Sequence, residues 1–165
     1  MKNYSCLFIV LVVIFNCKKP FSRDTETALA LPVNVELRKQ SLVFIAGVDA
    51  GDNPYYTNAK HYFEGMGIQV IEGLFSMEEI LEHLQLKADG QVILDEIHIV
   101  SHSNAWLGMS LKTTENGERI TLNSLQRFQR NQKDAEIPNG ISKETKIIFH
   151  SCGLGENIAL LKELQ

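Results

Sequence analysis

Two short runs place chemistry-bearing residues at matching points. Ile97, Ile99 and Val100 form an apolar run that stops at Ser101-His102-Ser103. Ile147, Ile148 and Phe149 form another that stops at His150-Ser151-Cys152, with Gly153 and Gly155 close behind. Each run reads as a short buried strand, so a histidine and a cysteine fifty residues apart each end a strand. A thiol is a poor nucleophile and a thiolate a good one, so a catalytic cysteine needs a neighbour that takes its proton. His102 is the candidate general base and Cys152 the candidate nucleophile. Attack on a carbonyl also needs donors for the resulting oxyanion. The backbone N–H groups of Ser103 and Cys152 are candidates, with Gly153 letting a substrate approach closely.

The elements that must position this pair follow from apolar patterning. Residues 41–48 read as a first strand, ended by a turn-forming cluster that holds Asp49 and Asp52. A helical stripe covers 55–66, a second strand 68–71, and a second helix opens at Ser76, where Glu79 completes a capping box. A third strand covers 96–100, and its lack of alternation fits burial on both faces of a parallel sheet. Runs at 106–111 and 119–122 flank Asn116-Gly117, a strong hairpin signal. Thr121 or Asn123 caps a helix over 124–129, a fourth strand starts at Lys146, and a last helix spans 156–164. The expected fold is an α/β, three-layer α/β/α sandwich with a mainly parallel sheet of about four strands, plus a β-hairpin inserted after strand three. If strands three and four are neighbours, His102 and Cys152 share one sheet edge, where ligands collect in open α/β sheets.

The chain has 165 residues, 44% of them hydrophobic, and a formal charge of −4. That suits one globular domain and gives no electrostatic basis for binding nucleic acid. Lys2 and the apolar run at 6–15 read as a signal peptide, too short to span a membrane. The stretch 14–19 resembles a bacterial lipoprotein processing site, which makes Cys17 the lipidated first residue of the mature protein. The expected division is 1–17 signal peptide, 18–40 linker and 41–165 α/β domain. The expected location is the cell envelope, periplasm or outer membrane, with the lipid anchor as sole membrane contact. Cys6 leaves with the signal and Cys17 carries lipid, so Cys152 is the one thiol of the exported domain and forms no intramolecular disulfide.

The succession Ile-His-Ile-Val-Ser-His after a second helix, a hairpin, then Ile-Ile-Phe-His-Ser-Cys-Gly resembles the caspase-like superfamily of cysteine peptidases, including gingipain-type and CHAT-type bacterial domains. There one strand ends in His-Gly and, about fifty residues later, the next ends in a small residue and the catalytic cysteine. The resemblance runs from Ser41 to the end of the sequence. It implies a cysteine endopeptidase acting on protein or peptide substrates through His102 and Cys152, without a cofactor. Ser103 stands where the family has glycine, and the Gln-Ala-Cys-x-Gly signature is absent. Family members continue past the helix after the cysteine, so the expectation is a fragment, a degenerate copy or an unusually short relative.

Two other readings compete. One is a non-catalytic caspase-like lipoprotein domain that binds a partner. The other is a serine hydrolase with Ser103 in a nucleophile elbow that has lost both glycines. Asp49 and Trp106 are candidate substrate-cleft residues, with turn capping the simpler role for Asp49 and core cover for Trp106. His61 and His83 read as surface residues, His98 as a core histidine, and His150 as a packed residue or a partner of Cys152. The histidines and Cys152 lack the paired spacing of zinc motifs, so no metal is expected. Oligomeric state is left open.

Overall fold

The computed structural model describes residues 38–49, 53–87, 92–132, 137–138 and 140–165. The signal segment with Cys17, the linker up to residue 37 and Asp52 lie outside the described residues. Four strands, β1 (Arg38–Ala46), β2 (Gln69–Leu74), β3 (Val92–Val100) and β6 (Lys146–His150), form one parallel sheet in the order β2-β1-β3-β6. The central strand β1 is buried from Leu42 to Ala46, because helices cover both faces. On one face Val43, Ile45 and Val100 pack with Tyr56 and Phe63 of α1 (Pro54–Gly65). On the other, Leu42, Phe44, Ile97 and Ile99 pack with residues of α2 (Met77–Lys87), α3 (Leu122–Asn131) and α4 (Ile158–Glu163). This is the expected three-layer α/β/α arrangement.

Helix starts follow their caps. Asn53 accepts from the Tyr55 N–H at 3.0 Å with Pro54 at the first helical position of α1. At α2, the Ser76 hydroxyl accepts the Glu79 N–H at 3.2 Å, and Glu79 returns to the Phe75 N–H at 2.8 Å. Thr121 caps α3 and Asn157 caps α4. The expected last helix therefore divides into a 3₁₀ turn (Leu154–Glu156) and α4, because Asn157 restarts the helix.

The insertion after β3 differs from the expected hairpin. The first antiparallel pair is β4 (Ser103–Asn104) with β5 (Gly108–Met109), closed by a turn in which Asn104 Oδ1 accepts the Trp106 N–H at 2.8 Å. The chain then folds back, with the Ile120 N–H donating to Leu111 at 2.8 Å and the Thr113 N–H to Glu118 at 2.9 Å. The tip is closed by the Gly117 N–H on Thr114 at 2.9 Å, so Asn116 and Gly117 are the last two residues of that turn and not its centre. β1 and β3 also begin earlier than their apolar runs, since Arg38–Gln40 pair with Val92–Leu94.

Candidate active site

Parallel register brings the two strand ends together. Val100 pairs with His150, so His102 and Cys152 each lie two residues past a matched pair. The ends are also stitched: the Ser101 N–H donates to His150 O at 3.1 Å, and the Ser151 hydroxyl to Ser101 O at 2.5 Å. The Ser103 hydroxyl donates to the Cys152 carbonyl. His102, Ser103, Cys152 and Asp49 line one pocket of about 360 Å³, with Asn104, Gly108, Ser110 and Arg119. That volume lies at the lower end of small-ligand sites.

A closed ring of hydrogen bonds fixes His102. Its Nδ1 meets Asp49 Oδ2 at 2.9 Å. Asp49 Oδ1 accepts the Tyr56 hydroxyl at 2.8 Å, and Tyr56 Oη in turn accepts the His102 backbone N–H at 2.9 Å. The Asn53 amide stands 3.4 Å from the same Nδ1, but the shorter contact to a carboxylate assigns the proton to Nδ1. Nε2 is then the free acceptor, the nitrogen a general base uses. The Tyr55 and Tyr56 rings lie 4.4 and 5.0 Å from the imidazole and hold its plane. A side chain at Gly47 would meet Tyr56 Oη at 2.7 Å, so the ring needs glycine there.

The charges agree with this assignment. Burial pushes the Asp49 carboxyl up, but hydrogen bonds from Tyr56, His102 and Ser110 outweigh it and hold the group below its usual range, so Asp49 is ionised. Burial first, then the neighbouring Asp49, push the Tyr56 hydroxyl up to about 12 against the hydrogen bond from the His102 backbone. It stays a protonated donor at neutral pH. Tyr55 is raised too, by burial and by the nearby Cys152 charge, and its hydroxyl donates to His150 O at 2.8 Å.

Cys152 is exposed and free. No hydrogen bond joins it to His102 among the described residues; such contacts are often long before substrate binds. The Cys152 and Gly153 N–H groups have no hydrogen-bond partner among the described residues. Gly153 has φ +69°, a left-handed conformation that glycine adopts without strain. Ser103 pairs with Met109 while the Ser110 N–H donates to His102 O at 2.7 Å, so the alternation of an antiparallel ladder points the Ser103 N–H away from β5.

Three expectations change. Trp106 is 90% exposed at the β4-β5 turn and is not among the pocket's lining residues, so it neither covers the core nor lines this cavity. Asp49 lines the pocket, but its carboxylate is committed to His102 and Tyr56. His83 is half-buried against the Phe44 ring and not a surface residue; burial and Lys87 push its imidazole down. Sequence reasoning missed Tyr55, Tyr56, Asn53, Ser110 and Arg119. The Tyr55-Tyr56 pair at a helix start was the one available signal, because a first turn lies beside the strand end that precedes it. Among the described residues, no cluster of three or more His, Cys, Asp or Glu side chains could hold a metal ion, and no helix is long and apolar enough to cross a membrane. Compared with known proteins, the chain matches no family model and no curated protein.

Proposed function

We propose that the protein is a cysteine endopeptidase of caspase-like type, with Cys152 as nucleophile, His102 as general base and Asp49 as the residue that orients His102. One observation carries the reading: His102 Nδ1 is tied to Asp49 Oδ2 at 2.9 Å, on the wall of a pocket that also holds an exposed thiol. That is the order of groups used by nucleophile, base and orienter in acyl transfer.

Each step balances. His102 Nε2 takes the Cys152 proton as sulfur bonds to the peptide carbonyl carbon, and the carbonyl oxygen becomes an oxyanion facing the Cys152 N–H and, from the β4 side, the Ser103 N–H. The C–N bond then breaks as His102 returns the proton to the leaving amine. A water, deprotonated by His102, attacks the thioester and releases the acid and the thiol. Ser103 suits the serine-hydrolase alternative less well, because its hydroxyl proton is already given to the Cys152 carbonyl and a hairpin follows it in place of a helix. The non-catalytic alternative predicts a Cys152 indifferent to His102.

The substrate in this reading is a protein or peptide, and the site of action is the cell envelope, reached by a signal peptide and a lipid on Cys17. Cleavage of a quenched-fluorescence peptide library tests the chemistry. Turnover by wild type and its loss in both Cys152→Ala and His102→Ala is the expected result; absence of turnover, or turnover that survives in Cys152→Ala, overturns it. Lipidation is tested separately by incorporation of a labelled fatty acid, which Cys17→Ala must abolish.

A further inference from the structure

The peptide group that follows the nucleophile hangs on a single side chain. β6 stops at His150, and the bonds that stitch its end to β3 reach only as far as Ser151, whose hydroxyl donates to Ser101 O at 2.5 Å. The next peptide, Cys152-Gly153, is held differently. Its carbonyl accepts the Ser103 hydroxyl, its N–H has no hydrogen-bond partner, and no other hydrogen bond reaches it among the described residues. Gly153, at φ +69° and ψ −4°, occupies the position that a type II turn reserves for glycine. A type I turn follows nearly the same path with φ of about −90° there, so a flip of the central peptide converts one into the other. Glycine adopts either sign of φ about as readily, and residue 153 therefore does not choose between them. The Ser103 hydroxyl does. A flip would turn the Cys152 carbonyl away from β4, strand that hydroxyl without its acceptor and put an oxygen on the side where the Gly153 N–H now stands.

We propose that Ser103 is a positioning residue for cleavage at Cys152: its hydroxyl latches the Cys152-Gly153 peptide in the type II orientation, which keeps an N–H and not a carbonyl oxygen free beside the reacting sulfur. The inference rests on the peptidase reading and adds a residue to it. Negative charge develops first on the sulfur and then on the oxyanion, and a preorganised N–H stabilises both where a carbonyl oxygen would oppose them. Glycine, which stands at the matching position of the resembled family, has no hydroxyl to form this latch.

The test follows peptide orientation and catalysis together in the full chain. The Cys152 Hα and the Gly153 N–H are close in a type II turn and apart in a type I turn, so the nuclear Overhauser peak between them in isotope-labelled protein reports the orientation. Wild type and Ser103→Thr, which keeps the hydroxyl, should show a strong peak that weakens in Ser103→Ala. With the fastest-cleaved peptide of the fluorescence library, kcat should fall by about two- to tenfold in Ser103→Ala at unchanged KM, and Ser103→Thr should restore it, since one hydrogen bond shifts the balance of orientations by roughly tenfold. Gly153→Ala releases the latch by another route. The nearest atom to an added Cβ is Ala105 N at 3.4 Å, so the positive φ and not lack of space excludes alanine from the latched turn. Its loss in kcat should be at least as large, and adding Ser103→Ala to it should cost nothing more. A strong peak that persists in Ser103→Ala, full kcat in that variant, or losses that multiply in the double variant overturns the inference and leaves the peptidase reading standing. Absence of turnover in wild type overturns both.

Discussion

A single histidine and a histidine pair lie on the α1 face of the same sheet, His102 two residues past the end of β3 and His98 within it, and their surroundings are opposite in kind. At the strand end, His102 is half-exposed, tied by Nδ1 to an ionised carboxylate and left with a free Nε2 above a pocket. One turn of pleat deeper, His98 Nδ1 and His150 Nε2 meet at 3.0 Å, the rings stack at 5.2 Å, and Phe63 packs on both. Burial, and then the charge of His98, push the His150 imidazole down, so it is neutral near pH 7. The same residue type is thus an oriented imidazole with a free ring nitrogen where the sheet ends, and a packed polar pair where it does not. Depth, set by register, decides the role.

The comparison breaks most visibly at the outer cluster. Cys152→Ala should abolish peptide cleavage, and His102→Ala should slow both cleavage and alkylation of Cys152 by roughly 10² to 10⁴-fold. Alkylation at equal rates in wild type and His102→Ala would place His102 with the inner, purely packed histidines. The next largest effect belongs to Asp49→Asn, which keeps the shape but removes the charge that fixes the His102 proton on Nδ1. A loss of about 10²-fold or more in kcat, with KM little changed, is the expected reading. A change confined to KM would make Asp49 a substrate contact and not the orienter. Tyr56→Phe deletes the hydroxyl that joins the Asp49 carboxylate to the His102 backbone. It leaves a half-buried donor and acceptor without their partner and should destabilise the fold by about 1 kcal/mol, read by chemical denaturation. Unchanged stability would mean the ring around His102 is not a structural unit.

How much of this was legible in the sequence depends on whether a feature is local. Apolar runs marked the four sheet strands, Ser76 and Glu79 the start of α2, and Thr121 or Asn123 the start of α3, where Thr121 is the cap, because each signal and its effect lie within a few residues. His102 and Cys152 were legible as a pair because both follow β-runs, and two parallel neighbours in register bring equivalent ends together. Asp49 as the partner of His102 was not, because that depends on β1 lying beside β3 with β2 displaced to the edge, an order no local pattern specifies. Asp49 and Asp52 offered the same turn chemistry. The β4-β5 pair was missed for a different reason: two-residue strands carry no periodicity, and the only cue was Asn104 followed four residues on by Gly108. Arg38–Gln40 was misread as linker since polar residues pair at the end of β1 opposite Val92–Leu94, outside the buried layer.

The inner cluster makes the smaller prediction. A histidine whose imidazole is pushed down in the folded state binds its proton more readily when unfolded. Its contribution to stability is therefore fully present above the unfolded value near 6.5 and is lost as pH falls through that value towards the folded one. His83 is lowered in the same direction and adds to the same window, whereas Asp49, lowered from 3.8, contributes only to losses at more acid pH. Melting temperature should thus decline between pH 7.5 and 5.5 in wild type. In His150→Leu the molecule is less stable at pH 7.5, because His98 Nδ1 loses its partner, but the decline over that interval is shallower. The slope separates the titration of His150 from simple loss of packing, since packing alone lowers the curve at every pH equally. An unchanged slope in His150→Leu, with a reduced one in His83→Leu, would assign the acid sensitivity to α2 and leave the His98-His150 stack as packing only.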